Sequence, residues 1–263
     1  MIDGICSLNS SDHSEQTLKV KSAAFLQESL HEAQKELNGL KGEDKLLWGA
    51  TKFGSKFVAT TSFGIQSAVL LHMLHKNQVS SNVRIIWIDT GYLPPETYHY
   101  ADQLRELLKL NLKVVQSEIS PARMEAIHGQ LWKTDKVEDL EKYHLIRKIT
   151  PLENALKDME VECWASGVRK NQTNNRNSMN CLDLIRERLA LRPLLEWTNK
   201  DIYYYMKENN LPQHPLFEKG YTTVGDWHSS SADTHKSKGR DTRFGGLKEE
   251  CGIHLPGLLG EGI

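Results

Sequence analysis

The chain has 263 residues, with 33 Lys and Arg against 34 Asp and Glu and a formal net charge of −1. A chain of this length can bury a substantial core, and its balanced charge excludes a general attraction to nucleic acid or to an anionic membrane. The sequence contains no run of about twenty apolar residues, so it predicts a soluble protein without a bilayer-spanning helix.

Cysteine usage bears on the compartment. Cys6, Cys163, Cys181 and Cys251 are widely spaced and form no CxxC pair, which argues against a disulfide framework, a zinc ribbon or a thioredoxin-type motif. The first residues lack the basic and apolar regions of a secretory signal. We therefore expect a reducing compartment: the plastid stroma if the chain comes from a plant and has lost a transit peptide, and otherwise the cytoplasm.

The apolar pattern divides the chain into three parts. Residues 1–20 are polar and are expected to be disordered. Residues 21–228 are expected to form one α/β domain, which begins with a helix within residues 22–40. Residues 229–263, rich in Gly, Ser, Thr and charged residues, are expected to form a flexible C-terminal tail.

Strand-like and helix-like runs alternate through the central part. The predicted strands read KFVATTS, VRIIWID, LKVVQSE and VECWASG, and the run ALRPLLEW is expected to extend the sheet. Helical periodicity predicts helices at about 65–75 and 95–108, and Thr198 is a predicted helix N-cap. Continuous apolar strands separated by helices predict an α/β fold with a largely parallel sheet covered by helices.

The turn after the first strand reads TTSFGIQSA. Gly64 permits close backbone approach, the hydroxyl groups donate hydrogen bonds, and the free N–H groups that open the next helix attract an anion. An ordinary capped turn has a similar composition, so both interpretations stay open at this point. The candidate phosphate-binding residues are Thr60, Thr61, Ser62, Phe63, Gly64, Gln66 and Ser67.

The turn after the second strand contains Asp89, Thr90 and Gly91. Ligands bind beyond the carboxyl ends of parallel strands, so these residues are also candidates for substrate binding. Asp89 suits either of two roles, a helix cap or an acceptor that orients a ligand.

Cations follow the strand VECWASG. Arginine forks bind sulfate and phosphate oxygens in pairs, so this strand end predicts an anion pocket, with a solvated face as the alternative. Arg147 and Lys148, and Arg240 and Arg243 near the tail cysteine, are expected to add to it. The candidates at the strand end are Arg169, Lys170, Gln172 and Arg176.

A single cysteine lies in the polar tail, in the stretch KEECGIH. A free cysteine outside a core matters more for its reactivity than for its packing. Because Glu249 and Glu250 disfavour the thiolate of Cys251, an incidental thiol is the alternative to a nucleophile.

Six ordered stretches together resemble the sulfonucleotide reductases, which reduce adenylyl sulfate (APS) or its 3′-phosphorylated form (PAPS) to sulfite. They read TTSFGIQSA, WIDTGYLPPETY, RKITPLENAL, ASGVRKNQ, HPLFEKGYTTVGDWHS and KEECGIH. The resemblance implies an adenine nucleotide α-hydrolase-like fold, a homodimer and a sulfonucleotide substrate, with no nucleic-acid or membrane partner. It adds Gly167 and His228 to the candidate substrate-binding residues.

The resemblance also implies a mechanism. Cys251 attacks the sulfate sulfur and forms an S-sulfocysteine, which reduced thioredoxin or glutaredoxin then cleaves to release sulfite. Arg169, Lys170, Arg243 and Lys148 are expected to screen the repulsion between the thiolate and the sulfate. His254 is expected to orient the tail or the sulfate and is included with Cys251 as a catalytic candidate.

The family contains members with and without a four-iron cluster. In members with a cluster, two cysteines stand where this chain has Tyr143 and His144, and two more stand at the positions of Asp226 and Ser229. Since such clusters are held by cysteine thiolates, we expect no iron–sulfur cluster and no other bound cofactor or metal.

The last expectation concerns the choice of substrate. Similarity to the cluster-free moss type of APS reductase favours APS, reduced to sulfite and AMP in sulfate assimilation, and PAPS reduction is the alternative. Two further alternatives stay open. One is an ATP pyrophosphatase, although those enzymes characteristically have a Gly-Gly phosphate loop and SFGIQS in this chain lacks the second glycine. The other is a nucleotide-binding module without catalysis.

Overall fold

The computed structural model of the protein describes residues 28–77, 82–248 and 250–254. The expected disorder of residues 1–20 lies outside the described residues. Among the described residues, those up to Gly39 belong to one compact unit and those from Leu40 onward to a second. In the first unit residues 28–37 are helical (α1), within the helix predicted for residues 22–40. All other elements belong to the second unit.

The second unit alternates strands and helices as the sequence predicts. Its strands are β1 (Phe57–Thr61), β2 (Arg84–Ile88), β3 (Leu112–Val115), β4 (Cys163–Ala165), β5 (Leu182–Ile185) and β6 (Arg188–Leu191). Its helices are α2 (Gly42–Phe53), α3 (Ser67–Lys76), α4 (Pro95–Leu108), α5 (Pro121–His128), α6 (Val137–His144), α7 (Thr150–Asp158) and α8 (Asn199–Glu208). Of the described helices, none is long and apolar enough to cross a membrane.

The strands form one six-stranded sheet in the order β3-β2-β1-β4-β6-β5. Every neighbouring pair is parallel except β5 with β6. The chain runs outward from β1 through β2 to β3 and then returns to place β4 on the other side of β1. The sheet therefore has its topological switch point between β1 and β4, where open α/β folds bind ligands. The predicted α/β fold is confirmed.

Apolar residues from β1, β2 and β4 build the core that supports this point. Val58, Ile86 and Trp164 are each about 1% exposed or less and pack in one cluster with Leu156 of α7. Burial of such side chains contributes roughly 1.5–3 kcal/mol each. The carboxyl ends of β1 and β4 are thus held on a packed base.

Three details of the segment from β5 to α8 differ in their agreement with the sequence. Thr198 caps α8, accepting a hydrogen bond from the Asp201 N–H, while the Asp201 carboxylate accepts one from the Thr198 N–H. The expected extension of the sheet by the run ALRPLLEW is confirmed only for Ala190 and Leu191, because β6 ends at Leu191. The β5–β6 hairpin gave no turn signal, since Arg186 and Glu187 adopt the left-handed conformation where Gly or Asn is usual.

We expect Gly49→Ala to destabilise the protein. A Cβ atom at Gly49 of α2 would lie 2.5 Å from the Phe57 ring at the start of β1, and overpacking of this kind costs about 1–3 kcal/mol. Urea denaturation measures the loss. In an exposed helix the same change would stabilise by about 0.8–1 kcal/mol, so an increased unfolding free energy would show that α2 does not pack closely on β1. Ala50→Gly in the same helix is the matched control for helix propensity.

Candidate active site

A cleft of about 240 Å³ lies at the carboxyl ends of β1 and β4. It brings together most of the residues predicted from the sequence, including the cysteine of the tail. The predicted residues that line it are Thr60, Thr61, Ser62, Gly64, Gln66, Ser67, Thr90, Lys148, Gly167, Arg169, Gln172, Arg176, Arg240, Arg243, Cys251 and His254. The other predicted residues, Phe63, Asp89, Gly91, Arg147, Lys170 and His228, do not line it; the Arg147 guanidinium instead donates to the Thr90 and Ile119 carbonyls.

The loop after β1 forms one wall. The Thr60 hydroxyl donates to the Ala165 carbonyl across the switch point at 3.2 Å, and the Thr61 hydroxyl accepts from the Phe63 N–H at 3.1 Å. Phe63 has a φ of 47°, which is unfavourable for a bulky residue. Its ring is buried edge-on against Trp87, with the ring centroids 4.9 Å apart. Phe63 therefore packs in the core, and its neighbours Ser62 and Gly64 line the cleft.

The loop after β2 contributes Thr90 rather than Asp89. The Asp89 carboxylate accepts hydrogen bonds from the Gly91 N–H, the Tyr98 hydroxyl and the Gln116 amide at 2.7–2.9 Å. Gly91 has a φ of 74°, and a Cβ there would meet Pro121. Asp89 and Gly91 therefore stabilise the turn and do not line the cleft.

A buried carboxylate organises the cations on this side of the cleft. Asp226 is fully buried, lies 2.5 Å from Lys148 Nζ and accepts a hydrogen bond of 2.5 Å from the Thr90 hydroxyl. Burial raises the pKa of Asp226, but the charges of Lys148 and Arg243 outweigh this and hold it well below its ordinary value. Asp226 is therefore ionised and fixes Lys148 in the lining.

Arg243 reaches the cleft by lying against a glycine. A Cβ at Gly225 would collide with the Arg243 guanidinium, so only glycine permits this approach. The guanidinium donates to the Ser229 hydroxyl at 2.9 Å. Neither Gly225 nor Asp226 was predicted to bind substrate, because the segment that carries them shows no helical or strand periodicity.

Arg169 follows β4 and has neutral partners. Its guanidinium donates to the Gln66 side-chain oxygen, to Asn199 Oδ1 at 2.9 Å and to the Trp197 carbonyl at 3.4 Å. Burial and the charge of Arg176 lower the pKa of Arg169 to about 10. An anion in the cleft would stabilise this cation.

The neighbouring Lys170 turns away from the cleft. Its ammonium group pairs with Glu196 at 2.5 Å, and the Glu196 side chain is largely exposed. Exposed pairs of this kind contribute little to stability. A backbone hydrogen bond explains why the side chain points away: the Lys170 N–H donates to the Leu195 carbonyl at 2.9 Å. This bond fixes the backbone after β4 so that the preceding residue, Arg169, is the one that is buried.

The tail places Cys251 in the cleft beside two arginines. Cys251 and Arg240 line the cleft together with Arg243. Burial lowers the pKa of Arg240 to about 10 and lowers that of Arg243, and the charge of Cys251 acts on both in the opposite direction. The thiol therefore lies within electrostatic reach of two guanidinium groups. Arg240 was expected from the sequence to add to the anion pocket, and it does line the cleft.

The residues on either side of Cys251 are held by other partners. Glu250 is buried and binds the Arg176 guanidinium, so Arg176, a predicted substrate ligand, already has a carboxylate partner. The His254 ring stacks on Trp164 at 5.3 Å. Burial and the charge of Arg176 hold the pKa of His254 well below its ordinary value, which keeps the imidazole neutral. A catalytic role for His254 stays a prediction, as does mobility of the tail.

The positions that carry cluster ligands in some sulfonucleotide reductases lie in one region. In this chain they are Tyr143, His144, Asp226 and Ser229. His228 stacks on Trp132 at 4.4 Å and lies 3.1 Å from the Tyr143 hydroxyl. This packing explains why His228 does not reach the cleft. The four positions offer a phenol, an imidazole, a carboxylate and a hydroxyl, and no thiolate. They do not fit an iron–sulfur cluster.

Comparison with known proteins gives the family. The sequence profile of the phosphoadenosine phosphosulfate reductase domain matches residues 56–232. The chain belongs to this family. It is therefore an oxidoreductase, as the motifs predict.

Relatives with this name are similar over nearly their whole length. The phosphoadenosine 5′-phosphosulfate reductase of Synechococcus sp. is 52% identical, with 86% of this chain and 97% of the relative covered. That of Synechocystis sp. is 48% identical, with 85% and 89% covered. The expected similarity to the moss type of APS reductase stays a prediction.

Solved structures are similar in fold. The phosphoadenylyl-sulfate (PAPS) reductase of Candida auris, in a phosphate complex, has a TM-score of 0.67 at 24% identity, with 87% of this chain and all of that chain covered. An FMN adenylyltransferase of Candida glabrata has a TM-score of 0.53 at 14% identity, with 76% and 62% covered. At these identities the similarity concerns the fold alone, and it agrees with the predicted nucleotide-binding α/β fold.

We expect His144→Phe to reduce the acid sensitivity of the protein. His144 is 1% exposed, and burial and the charge of Lys148 lower its pKa to about 2. Because the unfolded histidine titrates near 6.5, the native state binds fewer protons, and stability falls as the pH drops below about 6.5 by up to about 1.4 kcal/mol per pH unit.

Urea unfolding at about pH 7.5 and about pH 5.5 measures this loss, which should be about 1 kcal/mol smaller in the phenylalanine variant. His99, which is not buried, gives the matched control variant His99→Phe. An equal loss in wild type and His144→Phe would show that His144 is accessible to protons in the folded state.

Proposed function

We propose that the protein reduces PAPS to sulfite and adenosine 3′,5′-bisphosphate in sulfate assimilation, with Cys251 as the nucleophile. APS, favoured from the sequence, is the second candidate. Relatives at 52%, 48% and 44% identity carry the name of the PAPS enzyme, and the findings therefore favour PAPS.

One observation carries the proposal: Cys251 lines the same cleft as the loop of residues 60–67 and the cations Lys148, Arg169 and Arg243. An anionic nucleotide needs positive charge, and a thiolate needs the same charge to approach an anionic sulfate. A regulatory nucleotide-binding module would have no use for a thiol at this point.

The proposed first step is a displacement at sulfur. The Cys251 thiolate attacks the sulfate sulfur, and the bond from sulfur to the oxygen shared with phosphate breaks. The nucleotide leaves with that oxygen and its electron pair, and Cys251 carries the sulfur as S-sulfocysteine. Lys148, Arg169 and Arg243 offset the negative charge in the cleft, and Arg240 lines the same cleft as Cys251.

The second step needs an external reductant. A thiolate of reduced thioredoxin or glutaredoxin attacks Cys251 Sγ, the S–S bond breaks, and sulfite leaves with the electron pair. The second thiol of the reductant then attacks the mixed disulfide and frees Cys251. Two electrons pass from the dithiol to sulfur. The expected homodimer and a thiol-reducing compartment remain parts of this proposal.

The decisive experiment offers sulfur-labelled PAPS or APS to the purified protein. We expect label on Cys251 that reduced thioredoxin removes, and a higher kcat/KM for PAPS than for APS. Cys251→Ser should bind nucleotide and acquire no label, whereas Arg169→Ala should lose activity through weaker nucleotide binding. Wild-type protein that stays unlabelled with both nucleotides would refute the enzymatic mechanism, and a higher kcat/KM for APS would reverse the proposed substrate preference.

We also propose that the reductase works without an iron–sulfur cluster. The protein purified under anaerobic conditions should show no visible absorption from such a cluster and no stoichiometric iron. Iron analysis checks this expectation, and brown protein with stoichiometric iron would contradict it.

A further inference from the structure

We propose that Glu250 is a positioning residue whose carboxylate locks the tail to Arg176 and thereby holds Cys251 in the cleft. The inference rests on the proposed role of Cys251 and extends it to the residue next to it. From the sequence, Glu250 was expected only to disfavour the thiolate. Its surroundings give it a different role.

The Glu250 carboxylate lies in a fitted site. Arg176 Nε donates to Oε1 at 2.6 Å and Arg176 Nη2 donates to Oε2 at 2.9 Å, which is the bidentate geometry of a strong arginine–carboxylate pair. The Thr173 hydroxyl donates to Oε1 at 2.8 Å, and Arg240 lies 3.5 Å from Oε2. Every close partner donates to the carboxylate, so its negative charge is compensated.

Burial makes this contact specific to one position of the tail. The Arg176 and Glu250 side chains are each 5% exposed. An unpaired buried charge is strongly destabilising, so the arrangement is favourable only while the tail holds Glu250 against Arg176. Because Cys251 follows Glu250 directly, the same contact fixes the start of the cysteine residue.

The Arg176 side is fixed independently of the tail. Arg176 Nη1 donates to the Gln172 side-chain oxygen, and Gln172 also accepts a hydrogen bond from the Arg169 N–H. Asn174–Arg176 form a short 3₁₀ helix after Thr173. The partner of Glu250 is therefore built on the segment that presents Arg169 to the cleft.

A second anchor holds the chain after Cys251. Arg186 Nη2 donates to the Ile253 carbonyl at 2.8 Å, and Arg186 Nε is itself paired with Glu153 at 2.7 Å. Gly252 has a φ of 82°, which glycine adopts without strain. Cys251 thus lies between two fixed points, and Glu250 forms the first of them as a buried ion pair with Arg176.

The competing interpretation is that Arg176 binds the nucleotide and that Glu250 only occupies it in the absence of substrate. The two interpretations differ in what Arg176 variants lose. If Arg176 holds the tail, its variants react more slowly at Cys251. If Arg176 holds the nucleotide, its variants bind the nucleotide more weakly.

The test uses the full chain with Glu250→Gln, Glu250→Ala and Arg176→Gln. The first measurement is the Kd for adenosine 3′,5′-bisphosphate, which cannot react with the thiol. The second is the single-turnover rate of S-sulfocysteine formation from labelled PAPS. We expect Kd to stay within about twofold and the rate to fall by about 10-fold to 100-fold, the scale of a misplaced reacting group.

Two comparisons sharpen the result. Glu250→Gln combined with Arg176→Gln should be no slower than either single variant, because both remove the same contact. Glu141→Gln removes a half-exposed carboxylate that pairs with Lys248 at 2.9 Å and should leave the rate unchanged. A fall in nucleotide affinity as large as the fall in rate would overturn the proposal, and so would an unchanged rate in Glu250→Ala.

A substrate-free measurement separates this proposal from the proposed function. Alkylation of Cys251 by iodoacetamide, followed by peptide mass spectrometry, reports access to the thiol. At about pH 10, above the usual thiol pKa, Glu250→Ala and Arg176→Gln should react faster than wild type, whereas Glu141→Gln should not. Circular dichroism identifies a variant that fails to fold, and Glu250→Gln, which keeps the side-chain shape, then decides the outcome.

If wild-type protein forms no adduct with either nucleotide, the proposed function fails while the alkylation rates still decide whether Glu250 holds the tail. Equal alkylation rates in wild type, Glu250→Gln and Glu250→Ala would refute that role even if the reductase activity is present.

Discussion

The candidate active site depends on one physical constraint: the charge of a cation that is buried away from water must be compensated. Lys148 is compensated by Asp226 and Arg176 by Glu250, each through a buried ion pair. Arg243 lies against Gly225. Arg169 has neutral hydrogen-bond partners in the described part of the chain. The cleft therefore combines fixed cations with one whose charge still favours an incoming anion.

The fold explains how these groups meet. The switch point between β1 and β4 brings the loop that follows Thr61 beside the segment that follows Ala165, and the Thr60 hydroxyl joins the two. Neither loop contains a carboxylate partner for the cations. Asp226 and Glu250 supply the carboxylates from later in the chain, so the site is complete only when the segments after α8 pack against the end of the sheet.

The sequence predicts the part of this architecture that local pattern controls. Apolar strand runs give the parallel sheet, and the motifs after them give most of the lining. The direction of individual side chains is decided by contacts far away in sequence. Phe63 turns into the core against Trp87, and Lys170 turns outward to Glu196, although each lies in a predicted binding loop. The β5–β6 hairpin is not predicted from the sequence, because Arg186 and Glu187 occupy the turn positions where Gly or Asn is usual.

Glu250 shows why the charge of a neighbour in sequence can mislead. A carboxylate next to a thiol raises the energy of the thiolate if both face the same solvent. In the folded protein Arg176 and Thr173 bind that carboxylate, while Arg240 and Arg243 lie within reach of Cys251. Burial raises the pKa of Glu250, but the Arg176 hydrogen bond and the nearby arginine charges lower it to about 2. The carboxylate thus stays ionised at neutral pH, and its charge is compensated by the Arg176 guanidinium that binds it.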